Sequence, residues 1–189
     1  MMPLPGRLVL LGHPVAHSLS PRFQAAALRA AGIALEYEAM DVLPAELARV
    51  AALLREAGAA GNVTVPHKEA FAACCNRLSP VAERVGAVNT FWTEEGDLVG
   101  DNTDVGGFDT AVRNTVGVPT APFTVAVLGA GGAASAVLAA VERWEGATAK
   151  VWARTMARAE RLVERYGRMA RTDETINPVT CFRSAKVST

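Results

Sequence analysis

The stretch FTVAVLGAGGAASAVLAAVERW, residues 123–144, joins a short apolar run to a longer one through a glycine-rich turn. Gly129, Gly131 and Ala134 fit the G-x-G-x-x-G/A spacing directly after the first run. Glycines at these positions let the chain turn sharply and bring backbone amides close to a pyrophosphate at the positive end of a helix. An ordinary strand–helix turn would tolerate the same glycines, but the predicted strand–turn–helix order favours a dinucleotide-binding turn.

The next predicted strand ends in WART, residues 152–155, where such a fold contacts the ribose of its cofactor. An NAD site usually offers an acidic residue roughly 20 residues after the glycines, to hold the ribose 2′-hydroxyl. This sequence has Arg154 and Thr155 there, with Arg158 one turn later. Guanidinium groups suit a 2′-phosphate, and a helix N-terminus disfavours basic residues without an anionic partner. A solvated arginine face is the alternative, but the pattern favours NADP over NAD.

Upstream of this stretch, short apolar runs alternate with segments in which apolar residues recur at helical spacing. Strands are predicted at residues 7–11, 35–42 and 61–66. Two helices are predicted between them, one capped by Ser20 and one over residues 44–57. Strand–helix alternation of this kind implies parallel pairing, so the fold class is α/β.

The chain divides into two predicted units and a tail. Two β-like runs on either side of residues 94–97 predict a hairpin near the end of the first unit. We predict an α/β unit that carries the substrate site over residues 1–104, a partial Rossmann-type unit over 105–170, and an atypical tail over 171–189. The tail shows no helical stripe or alternation. Two strands and two helices cannot cover both faces of a parallel sheet, so the second unit is expected to be incomplete.

The composition argues against several classes of protein. Lysine plus arginine and aspartate plus glutamate both total 19, so the formal net charge is zero, and no basic stripe indicates a nucleic-acid partner. The first apolar run is too short for a signal peptide or a membrane span. Cys74, Cys75 and Cys181 are odd in number and lack metal spacing, which argues against a disulfide framework. We therefore expect a cytoplasmic protein with no nucleic-acid or membrane partner.

The polar residues of GNVTVPHKEA, residues 61–70, are candidates for a binding site. Asn62, Thr64 and Lys68 share one parity, and alternate residues of an extended chain face the same side. Lys68 and Asp104 each end a predicted β segment, and α/β sheets bind ligands beyond the carboxyl ends of their strands. A lysine facing a carboxylate could donate a proton to a developing alkoxide. A surface salt bridge is the alternative interpretation of this pair.

Ser18 and Ser20 lie between the first predicted strand and the first predicted helix. Ser20 could simply cap that helix, while two hydroxyls beside a positive helix end would also suit a carboxylate. His13, His17 and His67 have no acidic cluster or cysteine spacing nearby. We therefore expect structural or peripheral roles for the histidines and no metal site.

Five motifs occur in the order GHPVAHSLSP, NVTVPHK, GAVNT, DNTD and GAGGAASA. Together they closely resemble shikimate dehydrogenase, a family of NADP-dependent enzymes of chorismate and aromatic amino acid biosynthesis. The resemblance covers residues 7 to about 168. It implies reversible NADPH-dependent reduction of 3-dehydroshikimate to shikimate, with Lys68 as catalytic acid/base paired with Asp104.

The same resemblance implies binding roles for other residues. Ser18 and Ser20 would bind the shikimate carboxylate. The ring hydroxyls would be held by Asn62, Thr64, Asn89 and Asp104, next to Lys68. The cofactor would be bound by Gly129, Ala130, Gly131, Gly132, Ala133, Arg154, Thr155 and Arg158.

The sequence also departs from the family pattern. Ala153 replaces the leading asparagine of the N-R-T-x-x-R signature, and Ser135 stands where many relatives carry arginine. After Gly167, nothing resembles the rest of the cofactor sheet or the last helix, which supplies a substrate-binding glutamine in the family. We therefore expect a truncated or fragmentary member of low stability. A non-catalytic shikimate-binding chain, a quinate-using relative and a homodimeric assembly stay open.

Overall fold

The computed structural model describes residues 4–117 and 122–176. It divides into two compact units between Thr103 and Asp104, one residue before the end of the predicted first unit. Each unit contains both helices and parallel strands, which confirms the predicted α/β class. The part of the predicted tail from residue 177 onward, including Cys181, lies outside the described residues. No helix in the described ranges is both long and apolar enough to cross a membrane.

The first unit is built on a six-stranded mixed sheet. Its strands β1 to β6 are Leu8–Gly12, Tyr37–Asp41, Ala60–Val63, Arg77–Leu78, Thr90–Glu94 and Asp97–Asp101. Its helices α1 to α4 are Ser20–Ala30, Leu47–Glu56, Lys68–Ala72 and Pro80–Val85, with a 3-10 turn at Pro44–Glu46. The strand order is β2–β1–β3–β5–β6–β4. Strand β1 is parallel to β2 and β3, whereas β5 is antiparallel to β3 and β6, so the predicted hairpin is confirmed.

The main core of this unit packs one face of the sheet against α2 and α3. Val9, Leu11 and Val63 contribute the strand side of this core. Phe71 of α3 and Phe91 of β5 pack against each other with ring centroids 4.9 Å apart. All five side chains are at most 2% exposed, and full burial of such a side chain stabilises a fold by about 1.5–3 kcal/mol. This layer therefore fixes the carboxyl ends of β1 and β3, where the predicted site residues begin.

Helix α1 lies on the opposite face and buries none of its own residues. Leu28 packs against Leu10 and Tyr37 of the sheet, but Phe23 remains 68% exposed. A cavity of about 770 Å³ runs along this helix and is lined by Leu19, Phe23 and Tyr37, among others. This volume lies within the range of small-molecule sites, about 300–1,000 Å³.

The second unit is a three-stranded parallel sheet with helices. Its strands β7 to β9 are Phe123–Leu128, Ala147–Trp152 and Ala170–Thr172, in that order across the sheet. Its helices α5 to α7 are Asp104–Val116, Gly132–Val141 and Met156–Glu164, with a 3-10 turn at Gly167–Met169. Phe108 stacks on Trp144 with ring centroids 5.9 Å apart, and Phe123 packs against the same ring in a tilted arrangement at 5.7 Å.

Strand β9 corrects the predicted boundary of the tail. Arg171 and Thr172 were predicted to lie outside regular structure, but they pair with Lys150 and Val151 of β8. Three residues are too few to show alternation in a sequence. The ion pair between Lys150 Nζ and Asp173 Oδ2, 2.8 Å apart, holds the end of this strand.

One face of β7 is open to solvent in this unit. Thr124, Ala126 and Leu128 alternate along the strand and are all exposed, whereas Val127 is buried. Parallel strands are normally covered on both faces, and an uncovered apolar face is an aggregation liability. The expected low stability stays a prediction.

We predict that Gly61→Ala destabilises the first unit. A Cβ on Gly61 would lie 2.0 Å from the Val9 carbonyl oxygen, which belongs to the paired backbone of β1 and cannot move alone. Overpacking of this kind costs about 1–3 kcal/mol or more. The control is Gly106→Ala in α5, where a Cβ meets nothing within 4 Å and a helical alanine is favoured by about 0.5–1 kcal/mol. Urea unfolding measures both variants, and an equal free energy of unfolding for Gly61→Ala and wild type would contradict the prediction.

We also predict an acid-sensitive contact at the end of β9. The Lys150 ammonium, together with the Thr175 hydroxyl and amide, lowers the pKa of Asp173 from 3.8 to about 2. A carboxyl group whose pKa is lowered by folding stabilises the folded state at pH values above its ordinary pKa. This stabilisation is lost as the pH falls from about 4 to about 2. An NMR titration should place the Asp173 midpoint near 2 in wild type and closer to 3.8 in Lys150→Met. Equal midpoints in the two proteins would show that the ion pair does not form.

Candidate functional site

The loop after β1 places two serine hydroxyls at the start of α1. Ser18 Oγ accepts the amide N–H of Ser20 at 3.2 Å. Helix α1 begins at Ser20, and the preceding Leu19 makes no side-chain cap bond, so the prediction that Ser20 caps the helix is wrong. Both serines are half-buried beside the positive end of an eleven-residue helix. This arrangement can bind a carboxylate.

Asn62 of β3 makes three side-chain hydrogen bonds. Its Nδ2 donates to the Asn89 carbonyl at 3.3 Å and to Thr90 Oγ1 at 3.1 Å. Its Oδ1 accepts from the Tyr37 hydroxyl at 2.7 Å. A side-chain amide has two N–H donors and an oxygen with two lone pairs. Both donors are therefore used within the protein, and one lone pair of Oδ1 has no hydrogen bond among the residues that the structure describes.

Thr64 and Lys68 do not continue the strand that carries Asn62. Strand β3 ends at Val63, and the amide of His67 then closes a turn on the Thr64 carbonyl at 2.9 Å. Lys68 is the first residue of α3 and is half-buried. The prediction that the three polar side chains share one face of an extended strand is therefore wrong for Lys68, because the chain turns before reaching it.

The main chain of Val88 and Asn89 holds three elements together, and we call it the 88–89 junction. The Val88 amide donates to the Lys68 carbonyl at 2.8 Å, and the Asn89 carbonyl accepts from the Val63 amide at 2.9 Å. The Asn89 amide donates to the Asp101 carbonyl at 3.1 Å. Both junction residues are buried. The end of β3, the start of α3 and the end of β6 therefore meet at one point, which brings three predicted substrate residues together.

A second layer of polar side chains supports this junction; Asn89 was predicted to bind substrate, whereas Asn102 and Thr103 were not predicted to have a role. Asn89 Oδ1 accepts the Thr103 amide at 2.9 Å, and Asn89 Nδ2 donates to Thr103 Oγ1 at 2.9 Å. Asn102 is 3% exposed and donates to the Ala87 carbonyl at 2.9 Å. The Asn-Thr pairs in GAVNT and DNTD were the available signal, since both border strands of the predicted hairpin.

Asp104, the predicted partner of Lys68, belongs to the second unit. It is the first residue of α5, and β6 ends three residues earlier at Asp101. The expectation that Lys68 and Asp104 each end a β segment is therefore wrong, since each begins a helix. Their pairing stays a prediction.

Two of the three predicted histidines contact other residues of the first unit, and the third, His17, is exposed. His67 is 1% exposed, and its Nε2 lies 2.7 Å from the Val42 carbonyl oxygen, so this nitrogen carries the proton. His13 Nδ1 lies 2.6 Å from Asp41 Oδ1, and this contact lowers the pKa of Asp41. No cluster of His, Cys, Asp or Glu in the described ranges is suited to a metal ion.

The described cysteines are poor nucleophiles. Burial raises the pKa of the Cys75 thiol to about 12 and also raises the pKa of Cys74. Their thiols contact the Phe71 and Ala70 carbonyls one helical turn back. Both thiols are therefore protonated at neutral pH, and both side chains are half-buried against the main core.

The glycine-rich turn of the second unit has the geometry that a phosphate-binding turn requires. Gly129 has a φ of 131°, and an added Cβ there would meet nothing within 4 Å, so the turn is open. Gly131 precedes α6 in an extended conformation and no side chain caps that helix. Ala130 and Ala133 have only methyl side chains and leave room at the same turn. The residues present therefore fit a dinucleotide pyrophosphate.

The predicted phosphate-binding residues follow β8. Arg154, Thr155 and Arg158 are all exposed. Thr155 precedes α7 and makes no side-chain cap bond, so its hydroxyl does not cap the helix. Ser135 is 4% exposed and lies 3.0 Å from the Tyr166 hydroxyl. It links α6 to Tyr166, which lies two residues after the end of α7.

Comparison with known proteins finds a family model and several proteins that this chain resembles. A family model described as the shikimate dehydrogenase substrate binding domain matches residues 10–91. A relative named shikimate dehydrogenase (NADP(+)), from Geobacter metallireducens, is 46% identical over 160 residues, which cover 84% of this chain and 56% of the relative. The chain spans about half to three fifths of the length of the curated relatives it matches.

Solved structures agree with this result. The shikimate 5-dehydrogenase from Thermus thermophilus, in complex with NADP(H) and shikimate, is 44% identical with a TM-score of 0.76. The match covers 87% of this chain and 62% of that one. The quinate dehydrogenase from Corynebacterium glutamicum, in complex with NAD, is 27% identical with a TM-score of 0.76 and covers 88% of this chain and 63% of that one.

We predict that His67→Leu destabilises the first unit although leucine suits a buried position. The substitution leaves the Val42 carbonyl without its partner, and a stranded buried acceptor costs about 1–3 kcal/mol. The matched control is His13→Leu, which removes an exposed contact and should change stability by less than about 1 kcal/mol. Chemical unfolding monitored by tryptophan fluorescence checks both. Equal stability of the two variants would contradict the prediction.

Proposed function

We propose, from the premise that residues 10–91 belong to the shikimate dehydrogenase substrate-binding family, that this chain binds shikimate and takes part in its NADP-dependent interconversion with 3-dehydroshikimate. The chain is related to shikimate dehydrogenases over most of its length. The observation that carries the proposal is the 88–89 junction, which brings Asn62, Lys68 and Asn89 to one end of the sheet.

The proposed substrate site uses groups that match a small polyhydroxylated acid. Ser18 and Ser20 would bind the carboxylate at the start of α1. The open acceptor position of Asn62 Oδ1 would take a ring hydroxyl, and Thr64 and Asn89 would bind further hydroxyls. Such a site disfavours analogues without these hydroxyls, because buried polar groups would lose their partners.

The proposed chemistry separates the transfer of hydride from the transfer of a proton. When NADPH is bound, it supplies the hydride that reaches the C3 carbonyl carbon of 3-dehydroshikimate. The Lys68 ammonium donates a proton to the carbonyl oxygen, so ketone, hydride and proton together give the alcohol. In the reverse direction Lys68 takes the hydroxyl proton back. Asp104 is proposed to keep the lysine charged.

NADP is proposed as the cofactor because the second unit offers cations where an NAD site offers a carboxylate. Arg154 follows β8 and Arg158 lies in the first turn of α7, both exposed. The turn Gly129–Ala133 would hold the pyrophosphate. Ala153, in the place of the family asparagine, is 9% exposed and has no polar side-chain atom to offer the adenosine.

A second candidate function is shikimate binding without turnover. The observation that favours it is the short second unit, which has three described strands and an open face on β7. A quinate substrate is less well supported, since identity to the quinate dehydrogenase is 27% against 44% for the shikimate-bound enzyme. We further propose a cytoplasmic protein without a nucleic-acid partner, in keeping with its zero net charge. Its mass in solution would test a homodimer.

We predict that Lys68→Met retains shikimate binding but loses turnover. Calorimetry should give shikimate affinities within a few-fold for wild type and variant, and NADPH oxidation with 3-dehydroshikimate should fall by about 10²–10⁴-fold, the range for a general acid. Arg49→Met, an exposed cation paired with Glu46 on the surface, is the control and should retain both properties.

Three outcomes discriminate between the functions. Binding with no turnover in wild type would favour the non-catalytic chain. Unchanged turnover in Lys68→Met would remove the lysine from the chemistry, and absence of shikimate binding in wild type would reject the proposed function.

A further inference from the structure

Tyr37 is a buried residue that no part of the proposed chemistry uses. It opens β2, is 9% exposed, and packs with Leu10 and Leu28 between the sheet and α1. Its hydroxyl crosses above the neighbouring strand β1 to reach Asn62 on β3 at 2.7 Å. A buried tyrosine hydroxyl needs a hydrogen-bond partner, and here that partner is an amide predicted to bind the substrate.

The direction of this hydrogen bond is fixed by the other partners of Asn62. The Asn89 carbonyl can only accept, so the side of the amide that faces it must be Nδ2. Oδ1 therefore faces Tyr37, and the tyrosine must be the donor. Burial raises the pKa of Tyr37 to about 12, so the hydroxyl keeps this proton at neutral pH.

We infer that Tyr37 is a positioning residue, which acts together with the Asn89 carbonyl to hold the Asn62 amide with one Oδ1 lone pair available to a substrate hydroxyl. This inference rests on the proposed function. Tyr37 also lines the cavity along α1 together with Leu19, which lies between the two serines proposed to bind the carboxylate. The residue that orients the amide and the loop proposed for the carboxylate therefore border the same space.

The test is a thermodynamic cycle of shikimate binding, measured by calorimetry on the full chain. Tyr37→Phe keeps the ring and removes the donor, and we expect about a tenfold loss of affinity, on the order of one lost hydrogen bond. Asn62→Ala should also weaken binding. The double variant should bind no more weakly than Asn62→Ala alone, because Tyr37 acts through Asn62. Tyr166→Phe removes a buried hydroxyl in the second unit and should leave shikimate affinity unchanged.

A measurement without ligand keeps this test separate from the proposed function. In the NMR spectrum of the free chain, the Asn62 side-chain NH₂ should exchange slowly with solvent in wild type and faster in Tyr37→Phe. Unchanged exchange would overturn the inference, as would equal affinity of Tyr37→Phe and wild type, or losses that add fully in the double variant. If wild type binds no shikimate, the proposed function fails, and the amide exchange still decides whether Tyr37 orients Asn62.

Discussion

The arrangement of the polar residues in the first unit depends on the antiparallel pairing of β3 with β5. Because β5 is antiparallel to β3, its first residues lie beside the carboxyl end of β3. Residues 88–89, which come just before β5, therefore also lie next to that end. The Asn89 carbonyl receives two donors there, the Val63 amide and the Asn62 side chain. Buried carbonyls need such partners, and here one of the two partners, Asn62, belongs to the proposed site. The contacts that close the sheet therefore also orient the polar groups proposed to bind shikimate.

The sequence predicted those parts of the fold in which local patterns are strong. The glycine-rich turn, the hairpin and the alternation of strands and helices all follow from short-range spacing, and the structure contains them. The parity argument was wrong for Lys68, because it assumed that the strand continued through residues 64–67, whereas the chain turns there. Strand β9 was missed because its three residues pair through main-chain contacts that leave no periodic signal.

The site residues fall into two groups, those that short sequence motifs predict and those that only the folded structure shows. Ser18 and Asn62 lie where short motifs place them, at the end of a strand or at the start of a helix. Tyr37 could not be identified in this way, because it reaches the site through a partner that is distant in sequence. The Tyr37–Asn62 bond joins residues 25 positions apart, and such contacts are visible only in the folded sheet.

From these contacts we propose that the 88–89 junction holds the proposed site together before any ligand binds. Amide hydrogen exchange with and without shikimate tests this claim most directly. Slow exchange of the Val63, Val88 and Asn89 amides in the free chain, little changed by shikimate, is the result that a preformed site requires. Fast exchange at these amides in the free chain, slowed only by shikimate, would show instead that the ligand assembles the site.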